Sequence, residues 1–157
     1  MSLIRLDKLN NQHVYNMKVQ EDGVVYGAVV KKGDYDGYDY FKAEKNTAPT
    51  TEELVMLVSP FMDVTGLEDE NDMTFKKDQV IRGYGFEKND IVTITIDGIT
   101  SATNVKTDMV GKFVEVATGA YKMAVVGSKS ATLSFKVIDV DTLDGKDALV
   151  FEVQYFK

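Results

Sequence analysis

The sequence predicts a mostly β protein, with a small β-barrel or sandwich in its C-terminal part and a β-hairpin or arm before it. Three observations predict this class. Short β-prone runs recur through the second half, separated by turns that carry Gly or Asp-Gly. No segment sustains the 3.6-residue apolar period of an amphipathic helix. With 157 residues, 44% hydrophobic and 27% charged, the chain has the size and make-up to bury a core.

The first strand signal lies at residues 14–20, where Tyr15, Met17 and Val19 alternate onto one face. After Glu21-Asp22-Gly23 comes a second β-prone run, Val24 to Val30, so the pair reads as a hairpin. Lys31 to Ala48 is dense in Tyr and Asp around Gly33 and Gly37 and reads as a loop or irregular edge strand. Thr50 and Glu53 have capping-box spacing, but the apolar run Leu54–Val58 is β-prone and ends at Pro60. A strand over Glu53–Ser59 is therefore expected. The polar stretch Glu68–Asp72 is a plausible seam, dividing an N-terminal portion, residues 1–72, from a C-terminal module, residues 73–157.

Val80 to Phe86 is β-prone, with glycines at 83 and 85. Ile91 to Ile96 alternates, with Val92, Ile94 and Ile96 on one face and Thr93 and Thr95 on the other. Asp97-Gly98 turns the chain. Lys112–Ala117 and Tyr121–Val126 make a strand pair around Gly119. Leu133, Phe135 and Val137 alternate on the next strand and Leu149, Phe151, Val153 and Tyr155 on the last, with Asp144-Gly145 between them.

Composition removes several classes of function. The absence of cysteine excludes disulfides, thiolate catalysis and cysteine-held zinc. No apolar run reaches the roughly 18–20 residues of a membrane span, and Met1–Lys8 lacks the apolar core of a secretion signal, so synthesis in a cytoplasm is expected. The net charge of −7 is concentrated in residues 1–75, with 7 Lys/Arg against 14 Asp/Glu; the remainder carries 11 of each. An acidic first half disfavours nucleic acid and anionic lipid as partners and suits a basic protein surface or plain solubility.

Candidate chemistry is sparse. His13 is the only histidine, in a polar Asn-Asn-Gln-His context that offers it no orienting group as a catalytic base. The aspartates at 34, 36 and 39, and at 139, 141 and 144, lie close together. Neither set fits a calcium loop: position 12, which needs a bidentate Glu, is Lys45 or Val150. They read as turn aspartates, and no cofactor or metal is expected. Arg82-Gly83-Tyr84-Gly85-Phe86 matches the opening of an RNA-recognition signature, but Glu87-Lys88-Asn89 breaks it. Tyr35, Tyr38, Tyr40 and Phe41 form an aromatic cluster among Gly and Asp. Such a cluster either anchors the chain on a neighbouring subunit or folds back over its own core.

Several segments together resemble a family of small tailed-phage structural proteins encoded beside the major capsid protein. They are Leu54–Pro60, Met73-Thr74-Phe75, Asp78–Tyr84, Lys88–Thr95, Val110–Val116 and the hairpin from Leu133 to Val153. The order is similar over roughly residues 50–157. Asn89 stands where the family pattern has glycine, and the spacing after Gly98 is longer. The resemblance implies a non-catalytic virion protein that binds the major capsid protein on the outside of the head and decorates or cements the shell, with a homo-oligomer also possible. A tail or head–tail connector protein is the alternative within that class. A non-catalytic carbohydrate- or ligand-binding module is the alternative outside it.

Overall fold

A computed structural model describes residues 4–8, 13–58, 74–100 and 107–154. The acidic seam Glu68–Asp72, the strand end at Ser59-Pro60 and Tyr155 lie outside the described residues. The chain is mostly β. Its strands are β1 (Ile4–Lys8), β2 (His13–Val19), β3 (Val24–Val25), β4 (Val29–Tyr35), β5 (Phe41–Glu44), β6 (Leu54–Leu57), β7 (Thr74–Phe75), β8 (Val80–Gly85), β9 (Ile91–Thr95), β10 (Phe113–Val116), β11 (Met123–Val126), β12 (Ser134–Leu143) and β13 (Lys146–Gln154). Among the described residues, helix is limited to two single 3₁₀ turns, Ile96–Gly98 and Thr107–Met109.

Five strands close into a barrel in the order β2-β5-β4-β6-β8, with β8 pairing back onto β2. The barrel is thus drawn from residues 13–85. The later strands, expected to form the barrel or sandwich, instead build an open six-stranded sheet, β1-β9-β13-β12-β10-β11, whose first edge is the N-terminal strand. The two bodies pack face to face. A separate ribbon, β3 with β7, adds Val24 and Phe75 to the barrel core.

The expected hairpin of 14–20 with 24–30 does not form. β2 pairs in parallel with β5 and antiparallel with β8. The run 24–30 is divided by a turn at Gly27, where φ is +81° and the N–H donates to the Leu57 carbonyl. Its halves then pair with β7, through Val24 and Val25, and with β6, through Val29 and Val30. Closing the barrel satisfies both edges of β2 and buries Met17 and Val19 completely, which an isolated two-strand pair cannot do.

β6 is the wall shared by the two bodies, and all four of its residues are buried. Val55 and Leu57 point into the barrel with Met17, Val19, Val30, Ala43 and Ile81. Leu54 and Met56, followed by Val58, point out of it into a second core with Val92, Ile94, Val114, Phe135, Leu149 and Phe151 of the sheet. A strand apolar on both faces is what an unbroken run such as Leu-Val-Met-Leu-Val specifies. In the second core Phe135 meets Phe86 and Phe151 edge-on, at 6.0 and 5.8 Å between centroids.

Polar cross-links fasten the same seam. Asn46, fully buried, donates from Nδ2 to the Ala120 carbonyl (2.9 Å), while Gly119 N–H donates to the Asn46 carbonyl (3.0 Å). Val29 N–H donates to Tyr121 O, and Thr132 N–H to Pro49 O. The Tyr121 hydroxyl donates to Glu21, and Lys45 sits 3.2 Å from that carboxylate and 4.8 Å above the Tyr121 ring. Burial, and then the Glu21 contact, raise the Tyr121 pKa. The Tyr121 hydrogen bond, with help from Lys45, lowers that of Glu21.

Backbone details explain two sequence features. A Cβ on Gly83 would lie 2.5 Å from Met17 Cγ and 3.2 Å from Val55 Cγ2, so the strand reading of Arg82–Phe86, with glycine for close approach, holds. Phe86 is buried and Tyr84 packs against the same core, so these rings are not displayed for base stacking. Asn89, where glycine was expected, has φ +73°; asparagine is among the few residues that tolerate this left-handed region.

Thr93 and Thr95, on the opposite face of β9 from Val92 and Ile94, are both fully buried. Arg5 on β1 reaches across Thr93: its Nη2 lies 3.2 Å from the Thr93 hydroxyl and 2.8 Å from Asp141 on β12, and its Nε pairs with Asp7. The Asp141 carboxyl is held below its ordinary pKa, first by the hydrogen bond from Arg5 and then by the Thr142 N–H.

Two predictions follow from this architecture. Val55→Ala and Met56→Ala truncate opposite faces of β6. Each should cost about 1–5 kcal/mol, and both should shift one common thermal transition; two separated transitions would show that barrel and sheet unfold independently. Because the Asp141 pKa is depressed, its ion pair stabilises fully above the ordinary carboxylate range and is lost as pH falls through the lowered value. Melting curves from pH 6 to pH 3 should therefore fall less steeply for Arg5→Met than for the unaltered chain.

Candidate functional site

The segment joining β4 to β5 carries the aromatic cluster singled out in the sequence. β4 is bulged near Gly33, where an added Cβ would lie 2.7 Å from the Glu44 side chain, and the strands realign with Tyr35 opposite Phe41. The intervening residues form a tight tip. Asp36 N–H donates to the Tyr40 carbonyl (2.8 Å), and Gly37 and Asp39 take φ of +84° and +62°. The Tyr35 hydroxyl donates to Asp39 Oδ1 (3.0 Å) and accepts from Asp39 N–H (3.1 Å), so the left-handed aspartate is fixed by a reciprocal pair. Lys18, reaching from β2, pairs with Asp36 at 3.3 Å, and that contact raises its pKa.

The four aromatic residues separate into two roles. Phe41 is half-buried; its ring meets Tyr35 and Tyr15 edge-on, each at 5.5 Å, and contributes to the barrel core. Tyr40 is also partly covered. Tyr35 is 55% exposed and Tyr38, at the apex, 81% exposed. The folding-back alternative thus describes Phe41, while Tyr38 projects into solvent.

Three supporting residues were not singled out as site residues from the sequence. Lys32 Nζ lies 4.3 Å over the Tyr15 ring and 4.9 Å from that of Phe41, and pairs with Glu53 at 2.8 Å. Glu53 also accepts from the Tyr15 hydroxyl at 3.3 Å. The alternation of Tyr15 with Met17 and Val19 was a partial signal for one of them. The meeting of Tyr15 on β2, Lys32 on β4 and Glu53 just before β6 depends on β2 closing into one barrel with β4 and β6, which pair with each other but not with β2, and no local pattern encodes that closure.

Beside this base, His13, Tyr15, Glu53, Leu54, Gly85 and Phe86 line a shallow open cleft of about 210 Å³, smaller than the ~300–1,000 Å³ of typical ligand pockets. His13, half-exposed, lies 2.9 Å from Glu87 through Nε2. Among the described residues no three His, Asp or Glu side chains converge as metal ligands. Asp139 and Asp141 instead accept neighbouring backbone N–H groups at 2.8 Å, and Asp144-Gly145 form the left-handed pair of a tight hairpin turn. What the tip offers is an internally hydrogen-bonded turn with the Tyr35 and Tyr38 rings exposed.

Neither a protein-family model nor a curated protein matches the chain.

If Phe41 holds the tip and Tyr38 only presents a surface, their truncations must differ. Phe41→Ala should lower stability by about 1–3 kcal/mol, whereas Tyr38→Ala should change it by no more than about 0.5 kcal/mol. Urea titrations of the two variants check this; a large loss for Tyr38→Ala would make that ring part of the core.

Proposed function

We propose that this chain is a structural virion protein that binds the outer lattice of a tailed-phage head and cements it, acting by contact rather than by turnover. The observation that carries the reading is the exposed Tyr35–Tyr38 tip, held rigid by Phe41, Tyr15 and Lys32 on a barrel that is itself locked to a second sheet. Tyr supplies large, amphipathic contact area at small entropic cost. A rigid two-part body bridging adjacent shell subunits adds buried interface at every copy and stabilises the assembled state by mass action. The order of segments over residues 50–157, similar to that of small phage structural proteins, supports the same reading.

The test is co-sedimentation of the purified chain with preformed shells of the major capsid protein from the same phage genome, which this reading requires to exist. The expected result is saturation at a copy number that scales with the number of shell subunits. Binding restricted to one vertex would assign the chain to the head–tail connection instead, and a chain left in the supernatant while shells pellet would defeat the lattice reading.

A further inference from the structure

The tip also has a charge pattern that bears on what it contacts. From Gly33 to Phe41 the chain carries Asp34, Asp36 and Asp39 and no Lys, Arg or His. Asp34 and Asp39 are exposed on either side of the two exposed tyrosines. Asp36 is the one drawn inward, to Lys18. The nearest cation on β4, Lys32, is directed to Glu53 and to the Tyr15 and Phe41 rings. The tip is therefore an aromatic apex with a negative rim and no positive charge of its own.

Resting on the lattice-binding reading above, we infer that this tip is the docking element, and that its partner is a shell-protein surface presenting an apolar socket rimmed by arginine or lysine. An aromatic ring seated in a desolvated socket, ringed by opposite charges, is the arrangement that concentrates binding energy at one residue while charges set encounter rate and register. The geometry needs little rearrangement on binding: the positive φ of Gly37 and Asp39, the Tyr35–Asp39 hydrogen-bond pair and the edge-on contact of Tyr35 with Phe41 already fix the tip. A second copy of the chain is a poorer occupant, because residues 1–75, which include the tip, carry the whole net charge of −7.

The experiment measures affinity for purified shells at low and high salt, with melting temperature as a folding control. Tyr38→Ala should keep its melting temperature and bind about tenfold or more weakly. Asp34→Lys should also weaken binding and flatten its dependence on salt, because one attractive charge has become repulsive. If the unaltered chain binds shells and both tip variants bind equally well with the same salt dependence, another surface docks and the inference falls while the lattice reading stands. If the unaltered chain does not bind shells, both fall. Self-association that Tyr38→Ala abolishes would make a second copy the occupant and overturn the inference.

Discussion

The fold depends on one short strand being apolar on both sides. Leu54, Val55, Met56 and Leu57 are all buried, and alternate members serve different cores. The barrel interior would lose its wall without Val55 and Leu57, and the sheet would lose the surface it packs on without Leu54 and Met56. The cross-links at Asn46, Val29 and Thr132 lie along the same seam, where they satisfy backbone groups that the packing has taken out of water. The barrel and the sheet thereby share the burial of one strand.

Much of the local structure was legible. β6 was visible as an unbroken apolar run, β9, β12 and β13 as alternating ones, and the Asp144-Gly145 turn as a dipeptide that accepts two left-handed residues. Strand partnership was less so. The Glu21-Asp22-Gly23 turn suggested a local hairpin, but the chain gains more by giving β2 two distant partners, β5 and β8, than by pairing it with its neighbour. For the same reason the closure of the barrel over residues 13–85 was not visible: period-2 alternation shows which face is buried and says nothing of which strand lies alongside. Thr93 shows the limit from the other side. The alternation placed it opposite Val92 and Ile94 but gave no sign of its hydrogen-bond partners, Arg5 and Asp7, which come from a distant strand.

The candidate site was half legible. Density of Tyr among Gly and Asp made Lys31–Ala48 read as a loop or irregular edge strand, whereas the segment supplies most of β4 and all of β5 of the closed barrel, and composition alone gave Tyr35, Tyr38, Tyr40 and Phe41 equal standing. Distinguishing Phe41, which supports, from Tyr38, which projects, required the pairing of Tyr35 with Phe41 and the approach of Tyr15 from β2. Lys32 was unreadable as a site residue because a cation over two rings is a property of three strands meeting.

The placement of β1 bears on how the molecule behaves when crowded. A closed barrel leaves none of its five strands with an open hydrogen-bonding edge, whereas an open sheet must end somewhere, and an unguarded end is a template for accretion of further strands. Here one end is β1, only five residues long, broken by a register shift between Leu6 and Lys8 and bearing Arg5 and Asp7. Shortness, a bulge and charge are the devices that make an edge a poor template. Copies brought together at that margin would find little on which to extend their sheets.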